Sequence, residues 1–377
     1  MKWLNCKKMR SALVVFVTTI VLVGRSVKAD FTFGEPTNLG KTINTSSCDI
    51  PDCFSSDGLE MYLSSDRPGG YGDWDIWVAR RPTIDDDWGA PENIGPPVNT
   101  GQSETDAHIS VNGLELYFSS LNRYGWYGGY DIWVSKRATK DDNWGRPINL
   151  GPMINSASNE TSSCLSADGL ELYFSSRRSG GHGNDDIWLS IRATVNDPWE
   201  DPVNLGSVVN SSASECISFL SSNGLLLLFN MECHPSARSR GFGSVDMWVT
   251  TRASVFEPWN TPVNLGPMVN SSNLDCGARI SPDGFTAYFS SERPGGFGGA
   301  FGDIYQAQII PIVDFNADGF INTEDLFIMI DNWSTDNSLC DIGPTPWGDG
   351  VVDIEDLKVF IKYWEQENMP ELTEGIE

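Results

Sequence analysis

Histidine is nearly missing from this chain, three in 377 residues, and bases are scarce, 25 Lys and Arg against 51 Asp and Glu. A formal charge of −26 repels phosphate backbones and argues against nucleic acid as a partner. There is no CxxC pair, no His cluster with zinc spacing, no phosphate loop, no nucleophile elbow and no evident Ser-His-Asp arrangement. Long apolar runs are absent after residue 30, so nothing in that part reads as a bilayer span.

The single apolar stretch, SALVVFVTTIVLVG, follows Lys2, Lys7, Lys8 and Arg10 and precedes Val27 and Ala29. It is short for a span and reads as a secretory signal over residues 1–29, cleaved before Asp30, with an uncleaved anchor as the alternative. Cys6 lies in the basic segment, which argues against a lipoprotein anchor. Cleavage removes six bases and no acids, leaving 19 against 51, or −32. The expected product is secreted or extracytoplasmic (periplasm or cell surface), soluble and attractive to cations. Seven cysteines remain where disulfides are permitted. Cys216 and Cys276 hold equivalent positions in the pattern described next, with Cys233 on the same rim, so one pair among these three is expected. An odd count leaves at least one thiol free or intermolecular.

Residues 54–81, FSSDGLEMYLSSDRPGGYGDWDIWVARR, organise the rest. They recur from Ile109, Leu165, Leu220 and Ile280. The pairs Asp57-Gly58, Asn112-Gly113, Asp168-Gly169, Asn223-Gly224 and Asp283-Gly284 are spaced by 55, 56, 55 and 60 residues. A fixed period of this size marks a repeat architecture. Each pair predicts a hairpin of type I′, with both central residues at positive φ. Alternating runs such as LELYFSS and DIWVSKR flank a Gly-rich loop and read as strands. About four short strands per unit, five times over, predict propeller blades. A solenoid would need polar capping units. Instead FGEPTNLG, Phe33 to Gly40, supplies before the first copy what the last copy lacks after Tyr305. The expectation is an all-β, five-bladed propeller over residues 30–310, closed by that strand.

The S-x-D-G…Y-F-S-S…G-G…D-I-W pattern resembles the WD-like β-propeller repeat of the TolB type over roughly residues 31–310. The resemblance implies the fold and leaves the activity open.

Residues that recur in every blade answer to the fold. Trp77, Trp133, Trp188 and Trp248, with Tyr305, and the set Trp88, Trp144, Trp199 and Trp259 are read as inter-blade packing rather than ligand contacts. Asp75, Asp131, Asp186, Asp246 and Asp303 should accept N–H bonds from the Gly-rich loops. An acid stands eight residues before each turn: Asp49, Glu104, Glu160, Glu215 and Asp275. These channel-mouth carboxylates are either a cation site or glycosidase pair, or caps for neighbouring backbone. Glycoside-cleaving five-bladed propellers use acids that differ between blades, whereas these repeat.

Departures from the repeat mark candidate ligand positions. The blade 2 loop offers Asn122, Arg123, Tyr124, Trp126 and Tyr127, a platform for sugar rings, with Tyr130 nearby. The longer blade 4 loop carries His234, Arg238 and Arg240, and other loops add Tyr71, Trp74, Phe297 and Phe301. The alternative is that loop aromatics pack on their neighbours. Four residues before the turn the inner strands also diverge, to Cys53, His108, Cys164, Phe219 and Arg279, placing His108 and Arg279 either as channel polar contacts or as hydrogen-bonded structural groups.

After Pro311 the composition shifts. DFNADGFINTED fits a calcium loop: Asp314, Asn316 and Asp318 at positions one, three and five, Gly319 at the sharp turn, the Phe320 carbonyl, Asn322 and Asp325 following. A helix with Leu326, Phe327, Ile330 and Trp333 follows. GDGVVDIEDLKVFIKYW repeats the theme with Asp349, Gly350, Asp353 and Asp356, then Leu357, Phe360, Ile361 and Trp364 turned inward. Two such units resemble a type I dockerin over residues 312–366, which implies Ca2+ and a cohesin-like partner. The second loop departs from the family, since Thr345 and Trp347 fall at positions one and three, unless Asp341 reaches in from an expanded loop. Ca2+ then either folds the domain or also prepares docking. Residues 367–377 read as an acidic disordered tail.

The functional expectation is a secreted, non-catalytic module that binds carbohydrate or a cell surface and docks through its C-terminal domain. The alternative is a polysaccharide-degrading enzyme, a glycoside hydrolase or lyase acting at the channel mouth.

Overall fold

The computed structural model describes residues 31–232, 241–299, 302–337 and 339–368. Five antiparallel sheets make up five blades. Blade 1 is Asp49–Phe54, Glu60–Ser65, Asp75–Arg80 and Glu92–Asn93, and blade 2 is Glu104–Ile109, Glu115–Leu121, Tyr130–Lys136 and Ile148–Asn149. Blades 3 and 4 repeat the order from the inner strands Glu160–Leu165 and Glu215–Leu220. Blade 5 has three strands of its own, Asp275–Ile280, Thr286–Ser291 and Asp303–Pro311. Each inner strand contacts the inner strand of the next blade, and the fifth contacts the first, so the ring is closed.

Closure uses the N-terminus, as the sequence pattern requires. Thr37–Asn38 pairs with Asp303–Pro311 in the register Asn38 to Tyr305. Phe31–Phe33 extends the same edge, Phe33 opposite Ile309. The edge that an open array would present is thereby covered.

The inner hairpins differ from the expected type. Only the glycine of each pair has positive φ (Gly58 at 71°, Gly284 at 85°), and Asp57 and its counterparts do not. The Gly58 N–H donates to the Ser55 carbonyl, while the Ser55 hydroxyl bonds the Asp57 carboxylate and accepts the Glu60 N–H. This is the longer loop in which a turn ends on a left-handed glycine. The serine two residues before Asp or Asn, not a second positive φ, sets the register.

The packing between blades follows the repeated aromatics. Trp133 packs with Ile76 and Val78 of blade 1, and Trp188 with Tyr117 and Ile132 of blade 2. At 150–250 Å² of buried surface each, such a tryptophan contributes roughly 4–6 kcal/mol before entropic costs. The second set is stacked under arginines: Arg81, Arg137 and Arg192 lie 4.3 Å from the rings of Trp88, Trp144 and Trp199.

Beyond the propeller lie α1 (Thr323–Asp331) and α2 (Ile354–Asn368). Asn322 caps α1, with Asp325 returning the bond in a capping box. The small core between the helices holds Phe315, Met329 and Phe360. Its sides are not those that spacing alone suggests: Phe327, Ile330, Trp333 and Ile361 are exposed.

Candidate functional site

At one end of the propeller, each Gly-rich loop leaves the second strand beside the first residue of the inner strand, as Ser65 pairs with both Asp49 and Asp75. The aspartates before Ile-Trp hold these loops. Asp131 accepts the Tyr127 and Gly128 N–H groups, and Asp246 those of Phe242 and Gly243. An asparagine from the outer segment joins in: Asn149 on Asp131, Asn264 on Asp246, and Asn38 of the closing strand on Asp303.

The inner-strand acids Asp49, Glu104, Glu160, Glu215 and Asp275 are wholly buried. Glu104 accepts the Thr100 N–H and hydroxyl and the Ser120 hydroxyl, and pairs with Arg123. Asp49, Glu160 and Asp275 do the same with Arg67, Arg178 and Arg293. In blade 4, Met231 stands where the other blades have serine, and Glu215 bonds Ser211. Among the described residues no three His, Cys, Asp or Glu side chains converge as a metal cluster. Each acid caps its own blade rather than facing a shared ion.

That arrangement corrects the reading of Arg123. Its guanidinium donates to the Val98 and Pro97 carbonyls and faces Glu104, as Arg178 does with Ile154 and Glu160. It belongs to the repeated clamp and is not available to a ligand. Asn122, Tyr124, Trp126 and Tyr127 are exposed on the same loop, Tyr124 at 93%. Tyr71, Phe242 and Phe297 are exposed on the loops of blades 1, 4 and 5. His234, Arg238 and Arg240, with Cys233 and Phe301, lie outside the described residues, as do residues 1–30 and 369–377. Cys216 and Cys276 are both free thiols, so the pair expected among Cys216, Cys233 and Cys276 is not formed.

At the other end of the axis lies the position at which the inner strands diverge in sequence, although no cavity was expected there. There the turn-side ends of the inner strands surround a cavity of about 230 Å³ reached by His108 and Arg279. Thr345 and Trp347 of the C-terminal segment also line it. Trp347 meets Phe31 edge-on at 6.5 Å between centroids, and Asn223 donates to the Gly348 carbonyl.

The two C-terminal loops have matching frameworks. Asp314 accepts the Asp318 and Gly319 N–H groups, and buried Asp325 accepts those of Phe315, Asn316 and Asn322. In the second loop Asp341 accepts the Asp349 and Gly350 N–H groups, and Asp356 those of Ile342, Gly343 and Asp353. Asp341, not Thr345, therefore corresponds to Asp314. Gly348 packs so close that a Cβ there would lie 2.1 Å from the Asp341 carboxylate. Burial pushes the Asp341 carboxyl up to about 6 and that of Asp356 upward. Both loops offer oxygen donors only, the hard donor type that Ca2+ takes, although among the described residues no three of their carboxylates converge as they stand.

No family model and no curated protein matches the chain. Solved structures similar to it include TolB from Acinetobacter baumannii (14% identity, TM-score 0.40, covering 69% of this chain and 53% of that one). Others are an alpha-L-arabinofuranosidase from Lactobacillus brevis (13%, 0.43, 72% and 92%) and an endo-arabinase from Bacteroides thetaiotaomicron VPI-5482 (14%, 0.42, 75% and 97%). The chain spans about half the length of that TolB. At such identities the likeness concerns the propeller fold alone.

Proposed function

We propose that this chain is an exported, calcium-dependent binding protein whose propeller holds carbohydrate on its Gly-rich-loop end. The observation that carries the reading is the set of exposed aromatics there: Tyr71, Tyr124, Trp126 and Tyr127, with Phe242 and Phe297. Sugar rings need flat apolar surface with polar groups beside it, and Asn122 stands next to the blade 2 aromatics. A glycoside-cleaving site needs two carboxylates open to substrate and water. The five inner-strand acids are buried and bonded, which favours binding without cleavage.

The C-terminal segment takes the role of a dockerin-like domain. Asp314, Asn316, Asp318, the Phe320 carbonyl, Asn322 and Asp325 serve the first Ca2+ loop, and Asp341, Asp349, Asp353 and Asp356 the second. An apolar strip of Phe327, Ile330 and Trp333, 62%, 51% and 40% exposed, offers a docking face for a cohesin-like partner.

Retention of the purified protein on a panel of plant and algal polysaccharides tests the propeller reading, with released reducing sugar measured in parallel. Retention without release is expected, lost in Trp126→Ala/Tyr127→Ala with an unchanged thermal midpoint. Release of sugar would establish the enzyme instead, and retention by the double variant would move the site elsewhere.

A further inference from the structure

The axial cavity on the turn side of the propeller has features the fold does not require. Four residues before each turn, the five blades place unlike side chains around it, among them His108, Phe219 and Arg279. One residue on, each blade contributes an apolar wall, as in Phe54 and Ile280. Trp347 closes one side from a different part of the chain. The lining is mostly apolar, and Arg279 is the cation within it.

Arg279 differs from the other buried arginines. Arg67, Arg123, Arg178 and Arg293 each pair with an inner-strand acid, and Arg252 faces Glu171. Arg279 is 7% exposed. Its Nε donates to the Asp52 carbonyl and its Nη1 to the Ala278 carbonyl, at 3.2 Å for the latter. Among the described residues no carboxylate lies within ion-pair distance of it, and its Nη2 has no acceptor. A buried charge without a counter-ion is costly unless something completes it. Asp52 also lines the cavity and feels the Arg279 charge, but its carboxylate takes its bond from Ser64, and burial with the Asp106 charge outweighs the Arg279 charge and pushes the carboxyl up to about 7. His108 supplies a second donor. Its Nε2 accepts the Leu165 N–H at 3.1 Å, so the neutral ring carries its proton on Nδ1.

We propose that this cavity binds a small monocarboxylate with an apolar body, its carboxylate on the Arg279 guanidinium and its body against Phe219 and Trp347. A guanidinium fork matches a carboxylate better than any neutral group of the same shape. A cavity of about 150 Å³ accepts benzene, so about 230 Å³ admits a benzoate-sized molecule. This site is at the opposite end of the axis from the carbohydrate face and does not depend on that reading.

Calorimetric titration of the full chain in calcium buffer with benzoate and with benzamide tests the charge requirement. Benzoate should raise the thermal midpoint and bind at least about tenfold more tightly than benzamide, the neutral shape mimic. Arg279→Met should abolish that preference. Trp347→Ala should weaken both ligands and keep the preference, which covers the case in which Arg279→Met does not fold. A crystal soaked with 4-iodobenzoate should place the iodine signal between Phe219 and Trp347. Equal affinity for acid and amide, no binding of benzoate, or iodine located elsewhere would each overturn the proposal.

Discussion

Arg123 and its three counterparts show how register, rather than residue type, decides what a side chain does. Arg67, Arg178 and Arg293 lie two positions, and Arg123 three, after a serine that bonds the inner-strand acid, and each guanidinium ties that acid to carbonyls of the loop before the strand. Removing the cation leaves Glu104 buried without its partner. Arg123→Ala is therefore expected to cost about 3–5 kcal/mol of stability, whereas Tyr124→Ala on the same loop should change it by less than about 0.5 kcal/mol. Urea unfolding of the two variants checks the contrast, and equal effects would return Arg123 to the surface. His108 offers a second test at this scale. Burial, and then the Arg279 charge, lower its pKa from 6.5 to about 4. The unfolded chain takes up a proton between those values and the folded chain does not, so this residue lowers stability as pH falls from about 6.5 to 4. Asp52 acts in the opposite sense, since its raised value favours the folded state below about 7. His108→Gln, whose carbonyl can still accept the Leu165 N–H, should flatten the acid-side loss. Denaturation midpoints at pH 4.5, 5.5 and 6.5 measure the difference between variant and parent. Identical pH slopes would mean that His108 titrates normally.

Among the elements, the strands and the ring closure were legible because a fixed period exposes every fold requirement five times. The Trp-Asp-Gly grammar named the blades, and the orphan FGEPTNLG named the closing strand. The Arg123 clamp was hidden because the enlarged aromatic loop of blade 2 masks its alignment with Arg67, Arg178 and Arg293. The sides of α1 were hidden for a different reason: nearly every position after Asp325 is apolar, so periodicity has no contrast, and only the docking of Met329 on Phe360 picks the inward face. The closing strand carries its own prediction. Thr37–Asn38 and Phe31–Phe33 cover the outer edge of Asp303–Pro311, and Asn38 also bonds Asp303 and Asn44. A chain starting at Gly40 should expose that edge and self-associate, since an open strand recruits another. Light scattering after size exclusion should show oligomers, and a well-behaved monomer would mean that blade 5 closes without its borrowed strand.

At the scale of the whole molecule the two parts are joined through one feature, the insertion that enlarges the second C-terminal loop. Four residues more separate Asp341 from Asp349 than separate Asp314 from Asp318. Those extra residues carry Thr345 and Trp347 onto the propeller, against Phe31 and the Gly284 turn, while Lys362 of α2 lies over Phe285. The base of the insertion is held by N–H bonds from Asp349 and Gly350 to Asp341. Adding a cation to these carboxylates would favour their charged form against the burial that now raises the Asp341 pKa. Loading the second loop and seating Trp347 should therefore be one event, because binding and folding are linked in small metal domains. Chelation is expected to lower the helical circular dichroism signal of α1 and α2 and to separate thermal unfolding into two transitions, with the propeller melting on its own. Asp318→Ala should impair the first loop while leaving Trp347 in place. Asp341→Ala should release Trp347, seen as a shift of tryptophan emission toward that of solvent-exposed indole, even in excess calcium. An unchanged spectrum on chelation would count against calcium in these loops. A Trp347 shift caused by Asp318→Ala but not by Asp341→Ala would show that the first loop, rather than the insertion, holds the two parts together.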